Sequence, residues 1–300
     1  MSNVKIATAP CSWGVWYADG TPSGTPWELF LDQAAEAGYK ALELGPDGYL
    51  PTEVDRLREE LDKRGLEACA GTACYQFDHY QDMNGFRDRL DKLCARIAAF
   101  DAKYLVTMDE SDVGEMSEKK KLLTADDWKR FLTMVRDMGK YTYENYGIEV
   151  VYHPHVRTMI EFEDEIERLM DFTGLRLCFD IGHHAYANGG CEMGDTSALD
   201  FMRKYPEKIA YLHYKNVNGA VRRQVMESGW GSDKAFDLDV MCDLRDGIVD
   251  YNALRDVTDA IGFDGIGVIE QDMPRATNAQ AFAAAKRNLE YLREIGMIEG

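Results

Sequence analysis

The 300-residue sequence predicts a single (β/α)₈ barrel, and two observations predict it. Eight short β-type runs alternate with longer segments whose apolar residues recur at spacings of three and four, the helical period. Gly38, Gly65, Gly147, Gly174 and Gly262 each stand just before a run, where the preceding helix should stop. Strand then helix repeated eight times is the barrel plan, and about 250 residues suffice for one such unit. A doubly wound open sheet is the less favoured arrangement of the same alternation.

The runs are Val4 to Ala9, Ala41 to Leu44, Glu67 to Ala70, Tyr104 to Met108, Glu149 to Tyr152, Arg176 to Asp180, Ile209 to His213, and Ile266 to Glu270. Between them, patterns such as Leu29-Phe30-Gln33-Ala34 and Leu93-Ile97-Phe100 mark helices. The interval from His213 to Glu270 exceeds one β/α unit. Its polar stretch 216–247 is expected to be a long loop over the mouth of the barrel, anchored by Trp230, Phe236, Leu238, Val240 and Met241. No linker rich in Pro, Gly or Ser divides the chain, so residues 1–300 are expected to form one domain.

Composition narrows the function. Hydrophobic residues at 45% and charged residues at 29% describe an ordinary globular protein with ample core material. A net charge of −19 repels nucleic acid and anionic membranes, leaving a neutral or cationic small molecule as the expected partner. Seven cysteines, an odd number without a CxxC pair, read as thiols of a reducing compartment. The sequence moves directly into its first run and contains no stretch of about 18 apolar residues, so neither a signal peptide nor a membrane span is expected and the location is read as cytoplasmic. Homo-oligomers are common among barrels, and one is a reasonable expectation here.

The chemistry sits at the ends of runs five to eight. These carry His153 and His155, Asp180 followed by His183, His213 followed by Lys215, and Glu270; five of the six histidines fall in or beside them. In a barrel those ends converge on one basin. An imidazole and carboxylate set there suits a divalent ion, with His153, Asp180, His213 and Glu270 leaving two octahedral positions for a hydroxyketone. Mn²⁺ or Co²⁺ are favoured, with Mg²⁺ or Zn²⁺ as alternatives.

By strand alternation, Lys215 shares a face with His213, and His155 with His153. Lys215 is the candidate acid or stabilising cation, and His155 the candidate base or substrate hydrogen-bonder. Glu43, a carboxylate between apolar neighbours, is a third catalytic candidate. Trp13 and Trp16, flanking a glycine after the first run, could cover the carbon face of a cyclic polyol. His184 is read as structural. No G-x-G-x-x-G or G-K-[ST] motif occurs, so no nucleotide cofactor is expected, and Ser12 and Ser111 lack a nucleophile-elbow setting.

Several stretches resemble the xylose-isomerase-like sugar isomerase/epimerase superfamily, and within it the inosose dehydratases. They include Ala9-Pro10-Cys11-Ser12-Trp13-Gly14-Val15-Trp16, the segment from Glu43 to Thr52, Tyr152-His153-Pro154-His155, Asp180-Ile181-Gly182-His183, His213-Tyr214-Lys215 and Glu270-Gln271-Asp272-Met273. The resemblance implies a metal-dependent lyase removing water from 2-keto-myo-inositol (inosose) or a close keto-polyol, in inositol catabolism, and it implies that His183, three residues after Asp180, lies at the substrate or metal periphery. Most of that superfamily has a glutamate where this chain has His153, and its epimerases resemble one another in pairing it with the glutamate of strand eight. Only Glu270 is retained, which favours dehydration over the alternative of a keto-sugar isomerase or epimerase. An apurinic-site endonuclease on this barrel is disfavoured by the acidic charge, and a non-catalytic sugar-binding barrel by the intact Asp180, His213 and Glu270.

Overall fold

The computed structural model describes residues 4–110, 120 and 122–298; Ser111 lies outside them. Eight parallel strands form the barrel: β1 (Lys5–Thr8), β2 (Ala41–Glu43), β3 (Glu67–Tyr75), β4 (Tyr104–Asp109), β5 (Glu149–Tyr152), β6 (Arg176–Asp180), β7 (Ile209–Tyr214) and β10 (Ile266–Ile269). They close in the order β1-β10-β7-β6-β5-β4-β3-β2. The eight-run reading of the sequence is thus the observed sheet. Its clearest departure is β3, which continues five residues past Ala70 to Tyr75, held by the register from Ala70↔Tyr104 to Tyr75↔Asp109.

Alternation along the strands separates two cores. Small or slender side chains point inward, among them Ala7, Ala41, Cys69, Val106, Val151, Cys178 and Val268, with Tyr211 the bulky exception. The opposite faces pack on the helices: Leu42, Leu105, Val150, Leu177, Leu212 and Ile269 belong to the outer core. An eight-stranded barrel interior just accommodates such a filling, which leaves the mouth for polar residues.

The principal helices are α1 (Trp27–Ala37), α2 (Val54–Asp62), α3 (Arg87–Ala99), α4 (Ala125–Tyr146), α5 (Glu163–Thr173), α6 (Ile181–Asn188), α7 (Ser197–Lys204), α8 (Gly219–Glu227), α9 (Ser232–Asp237), α10 (Tyr251–Ala260) and α11 (Asn278–Glu294). Thr124 starts α4 with a reciprocal capping box to Asp127, satisfying amide donors that the first turn leaves unpaired. Gly147 and Gly174 close α4 and α5 at φ 65° and 73°, a left-handed conformation that is costly for other residues. Among the described residues, no helix is long and apolar enough to cross a membrane.

The stretch 216–247 is more ordered than the expected loop. It holds α8, α9 and an antiparallel ribbon of β8 (Asn216–Val217) with β9 (Met241–Cys242). Asn216, buried, ties it down by donating to the carbonyls of Leu244 and Val249 at 2.8 and 2.9 Å. Val240 and Met241 are buried anchors, but Trp230 is 43% exposed, with Lys234 Nζ 5.9 Å over its ring. Phe236 lies 6.3 Å from the ring of His183, so this excursion does reach the strand ends.

Candidate active site

The C-terminal ends of β5, β6, β7 and β10 bring His153, Asp180, His213, Lys215 and Glu270 into one buried cluster. Asp180 occupies the boundary between β6 and α6. One oxygen, Oδ1, caps the helix by accepting from the His183 amide at 2.8 Å, so Oδ2 is fixed toward the basin. Around Oδ2 stand His153 Nε2 at 3.5 Å, His213 Nδ1 at 3.6 Å and Lys215 Nζ at 2.8 Å. Glu270 Oε2 adjoins the same centre, 3.0 Å from His213 Nδ1 and 2.6 Å from Lys215 Nζ.

The approach of Lys215 depends on a missing side chain. A Cβ on Gly182 would sit 2.4 Å from the Lys215 Cβ and 3.1 Å from its carbonyl carbon, so only glycine lets α6 start this close to the end of β7. Glu43 supports the cluster from behind. Its Oε1 lies 2.8 Å from His213 Nε2, and its Oε2 accepts from Thr72 at 3.3 Å. That contact fixes the ring of His213 and directs Nδ1 toward Asp180 and Glu270, the arrangement a metal-ligating histidine requires.

The electrostatics follow from burial and contact. Burial is the strongest influence on each group and favours the neutral form. It lowers His153 to about 4 despite its contact with Asp180. Burial also acts on His155, with the neighbouring rings of His183 and His153, to hold it well below the ordinary histidine value. For Asp180 burial is overcome by Lys215 and His183, and for Glu270 by His213 and Lys215, leaving both carboxyls well below their usual range. Lys215, only 2% exposed, is kept well above the ordinary lysine value because Asp180, Asp272 and Glu270 outweigh its desolvation.

These donors fit a divalent cation. His153 Nε2 is buried without a hydrogen-bond partner among the described residues, and His213 Nδ1 lacks a well-directed one. Ligand atoms of His153, Asp180 and His183 lie within 4.8 Å of one another, as do those of Glu43, His213 and Glu270. Lys215 supplies the cationic partner of the same carboxylate oxygens in this structure. His153, Asp180, His213 and Glu270 thus lie around one centre, although the trios whose atoms all approach within 4.8 Å divide them, Asp180 with His153 and Glu270 with His213.

The other expected residues divide. His155 lies at the rim, its ring centroid 3.7 Å from that of His183, with Nδ1 2.7 Å from the carbonyl of Val156. His184 faces away, between Phe179, Phe201 and Glu163, as a packing residue. Trp16 is half-buried on the loop after β1. Trp13 overturns the expectation of a substrate platform: it is 1% exposed, edge-on to Phe30 at 5.0 Å, and donates to Gln33 at 2.7 Å. It packs α1 against the barrel and has no face to offer. Sequence reasoning left Asp272 unassigned, yet its Oδ2 lies 3.4 Å from His183 Nε2 and 3.5 Å from Lys215 Nζ. The two-residue alternation that singled out Lys215 applied equally to Asp272, two positions beyond Glu270.

Residues 31–295 match the family model described as xylose isomerase-like TIM barrel. The chain belongs to that family. It is 26% identical to the rhizopine catabolism protein MocC of Rhizobium meliloti over 310 aligned positions, covering 100% of this chain and 91% of the relative. It is 25% identical to the inosose dehydratase of Geobacillus thermodenitrificans, covering 98% and 97%. Among solved structures, the probable 3-DHS dehydratase AsbF of Bacillus anthracis superposes with a TM-score of 0.65 at 14% identity, over 94% of this chain and 98% of that one. An L-ribulose 3-epimerase gives 0.65 at 14% identity, over 97% and 94%. Likeness at such identity shows the shared barrel alone.

Proposed function

We propose that this protein is a metal-dependent carbon–oxygen lyase that dehydrates 2-keto-myo-inositol (inosose) or a close keto-polyol. The observation that carries the reading is the convergence of His153, Asp180, His213 and Glu270 on one buried centre beside Lys215. Full-length similarity to inosose dehydratases supports that choice of reaction. A neutral polyol and a cytoplasmic setting also suit a chain of net charge −19 whose cysteines are free.

The four residues would hold the ion, with Mn²⁺ or Co²⁺ favoured. When bound, it supplies polarisation of the substrate ketone, which acidifies the adjacent C–H. The remaining work belongs to side chains. With Nδ1 placed to donate to the Val156 carbonyl, His155 keeps Nε2 as the accepting nitrogen, and burial keeps the ring neutral at the cost of basicity, a weak base that can take the α-proton only from an already acidified C–H. The proton taken must return to the departing β-hydroxyl so that water leaves, and one imidazole can carry both transfers. Lys215 is held too firmly protonated to be a good proton donor. Its role is to stabilise the negative charge that develops on the substrate oxygen. His183 Nδ1, buried and without a hydrogen-bond partner among the described residues, is left to bind a substrate hydroxyl. Glu43, engaged by His213 and Thr72, positions the ligand set and does not reach substrate.

An isomerase or epimerase of a free keto-sugar would require a second, opposed base. Position 153 is a histidine and Glu43 is already committed, so the dehydratase reading is preferred. Purified protein with Mn²⁺ and 2-keto-myo-inositol is expected to generate dione absorbance, with the signal lost in Asp180→Asn. Deuterium entering the substrate, or an isomer appearing without loss of water in deuterated solvent, would replace this reading with the epimerase one.

A further inference from the structure

The ring of strands around the mouth has two unlike arcs. On one, β5, β6, β7 and β10, the metal-ligand candidates and Lys215 are buried. On the other, β3 and β4 run side by side and present a partly accessible row: Thr72 and Cys74 from β3, Met108 from β4 and Glu110 just past it.

Alternation fixes the direction of this row. Val106 lies in the interior cluster, so Met108 and Glu110 follow it inward at steps of two. Ala73 and Tyr75 pack in the outer core, so Thr72 and Cys74 point inward, and Thr72 touches Glu43 from inside the barrel. The Glu110 amide donates to the Tyr75 carbonyl at 2.9 Å, extending the β3–β4 ladder by one residue and locking the carboxyl beyond its end. Burial raises that carboxyl above its ordinary range.

Above the filled interior the strand ends enclose one basin, so a molecule engaged on the first arc turns its far side toward the second. For a cyclic polyol that far side carries hydroxyls and C–H faces. The second arc offers a carboxyl acceptor, a hydroxyl, a thiol and a thioether. None of the four is a cation.

We propose that Thr72, Cys74, Met108 and Glu110 form the subsite for the remote hydroxyls of the substrate, with Glu110 the specificity-determining residue that selects an uncharged polyhydroxylated ring over a carboxylated or phosphorylated one. Met108 covers carbon while Glu110 accepts from a hydroxyl. The assignment rests on the keto-polyol reading and adds which end of the substrate is read, and by what.

The test uses Mn²⁺-loaded protein, 2-keto-myo-inositol, and the analogue lacking the hydroxyl opposite the ketone. Losing one hydrogen bond to a charged group should raise KM about ten- to hundred-fold in Glu110→Ala, with a smaller change in kcat. The wild type should lose a similar factor on the deoxy analogue, and Glu110→Ala should barely distinguish the two substrates, the signature of a coupled pair. If the wild type dehydrates inosose while Glu110→Ala keeps its KM within two-fold, the subsite assignment is overturned and the dehydratase reading stands. If Glu110→Ala does not fold, the wild type decides alone, since equal KM for parent and deoxy analogue overturns the proposal. A wild type inert toward inosose removes the dehydratase reading instead. Calorimetric binding of the same two ketones then tests the subsite, and equal affinities overturn it.

Discussion

Replacing Lys215 with methionine tests how the buried charge is balanced. The Lys215 ammonium lies 2.8 Å from Asp180, 2.6 Å from Glu270 and 3.5 Å from Asp272, and all four residues are buried. Methionine preserves much of the volume but removes the cation shared by Asp180, Glu270 and Asp272, leaving Glu270 only its contact with His213. Removing one partner of a buried ion pair costs about 3–5 kcal/mol. At roughly 2–4 °C per kcal/mol for a domain near this size, the metal-free variant should melt on the order of 10 °C below the wild type at pH 7.5. One further readout separates this cause from lost packing, and a second follows metal binding. Acidification should narrow the deficit, because a protonated carboxyl no longer needs a cation. Mn²⁺ at 100 times its Kd should restore about 2.7 kcal/mol by mass action. Differential scanning calorimetry on chelator-treated protein, with and without Mn²⁺, measures all three. A metal-free Lys215→Met protein as stable as the wild type at pH 7.5 would refute the reasoning.

Other perturbations follow from the same contacts. Glu43→Gln should weaken Mn²⁺ binding about 10–100-fold by loosening His213 while leaving the fold intact, as read by calorimetric titration and circular dichroism. Gly182→Ala forces its new methyl against the Lys215 Cβ and carbonyl carbon, so it should lower the melting temperature and remove most activity, whereas Gly231→Ala, in open space, should do neither. His153 is depressed from 6.5 to about 4 in the folded chain, so its contribution is complete above pH 6.5. That contribution falls as pH drops toward 4, where the unfolded chain takes up a proton that the folded one refuses. The difference amounts to about 3 kcal/mol, and a melting curve for His153→Asn that is flatter than wild type over that range is the expected result.

Much of this architecture was legible because barrel strands and helices carry different periods. Eight apolar runs with glycine stops gave the strand count, and the polar residue ending each of the later runs marked the basin. The pairing of His155 with His153 and of Lys215 with His213 needed only alternation. What escaped depended on depth and direction. Trp13 follows a strand end, but the turn at Pro10–Trp13 rotates its ring outward onto Phe30, which strand alternation does not encode. Glu43 was conspicuous as an acid among apolar neighbours. Its commitment to His213, 170 positions away, arises only when the barrel closes and β1 and β10 bring β2 within three strands of β7. The 216–247 excursion looked loop-like because its helices are short and polar, yet Asn216 and Met241 pin it down. Glu110 lies two residues beyond the run that ends at Met108, so the alternation that carries it inward from Val106 had to be extended past the strand to find it.

The most direct measurement is Mn²⁺ occupancy followed together with turnover. Metal-stripped protein would be titrated with Mn²⁺ while bound metal is read by electron paramagnetic resonance and dione formation from 2-keto-myo-inositol by absorbance. One ion per chain, with dehydration rising in proportion to occupancy and both lost in Asp180→Asn, is the expected result. Turnover at full rate in the stripped protein, or unchanged in Asp180→Asn, would contradict the account.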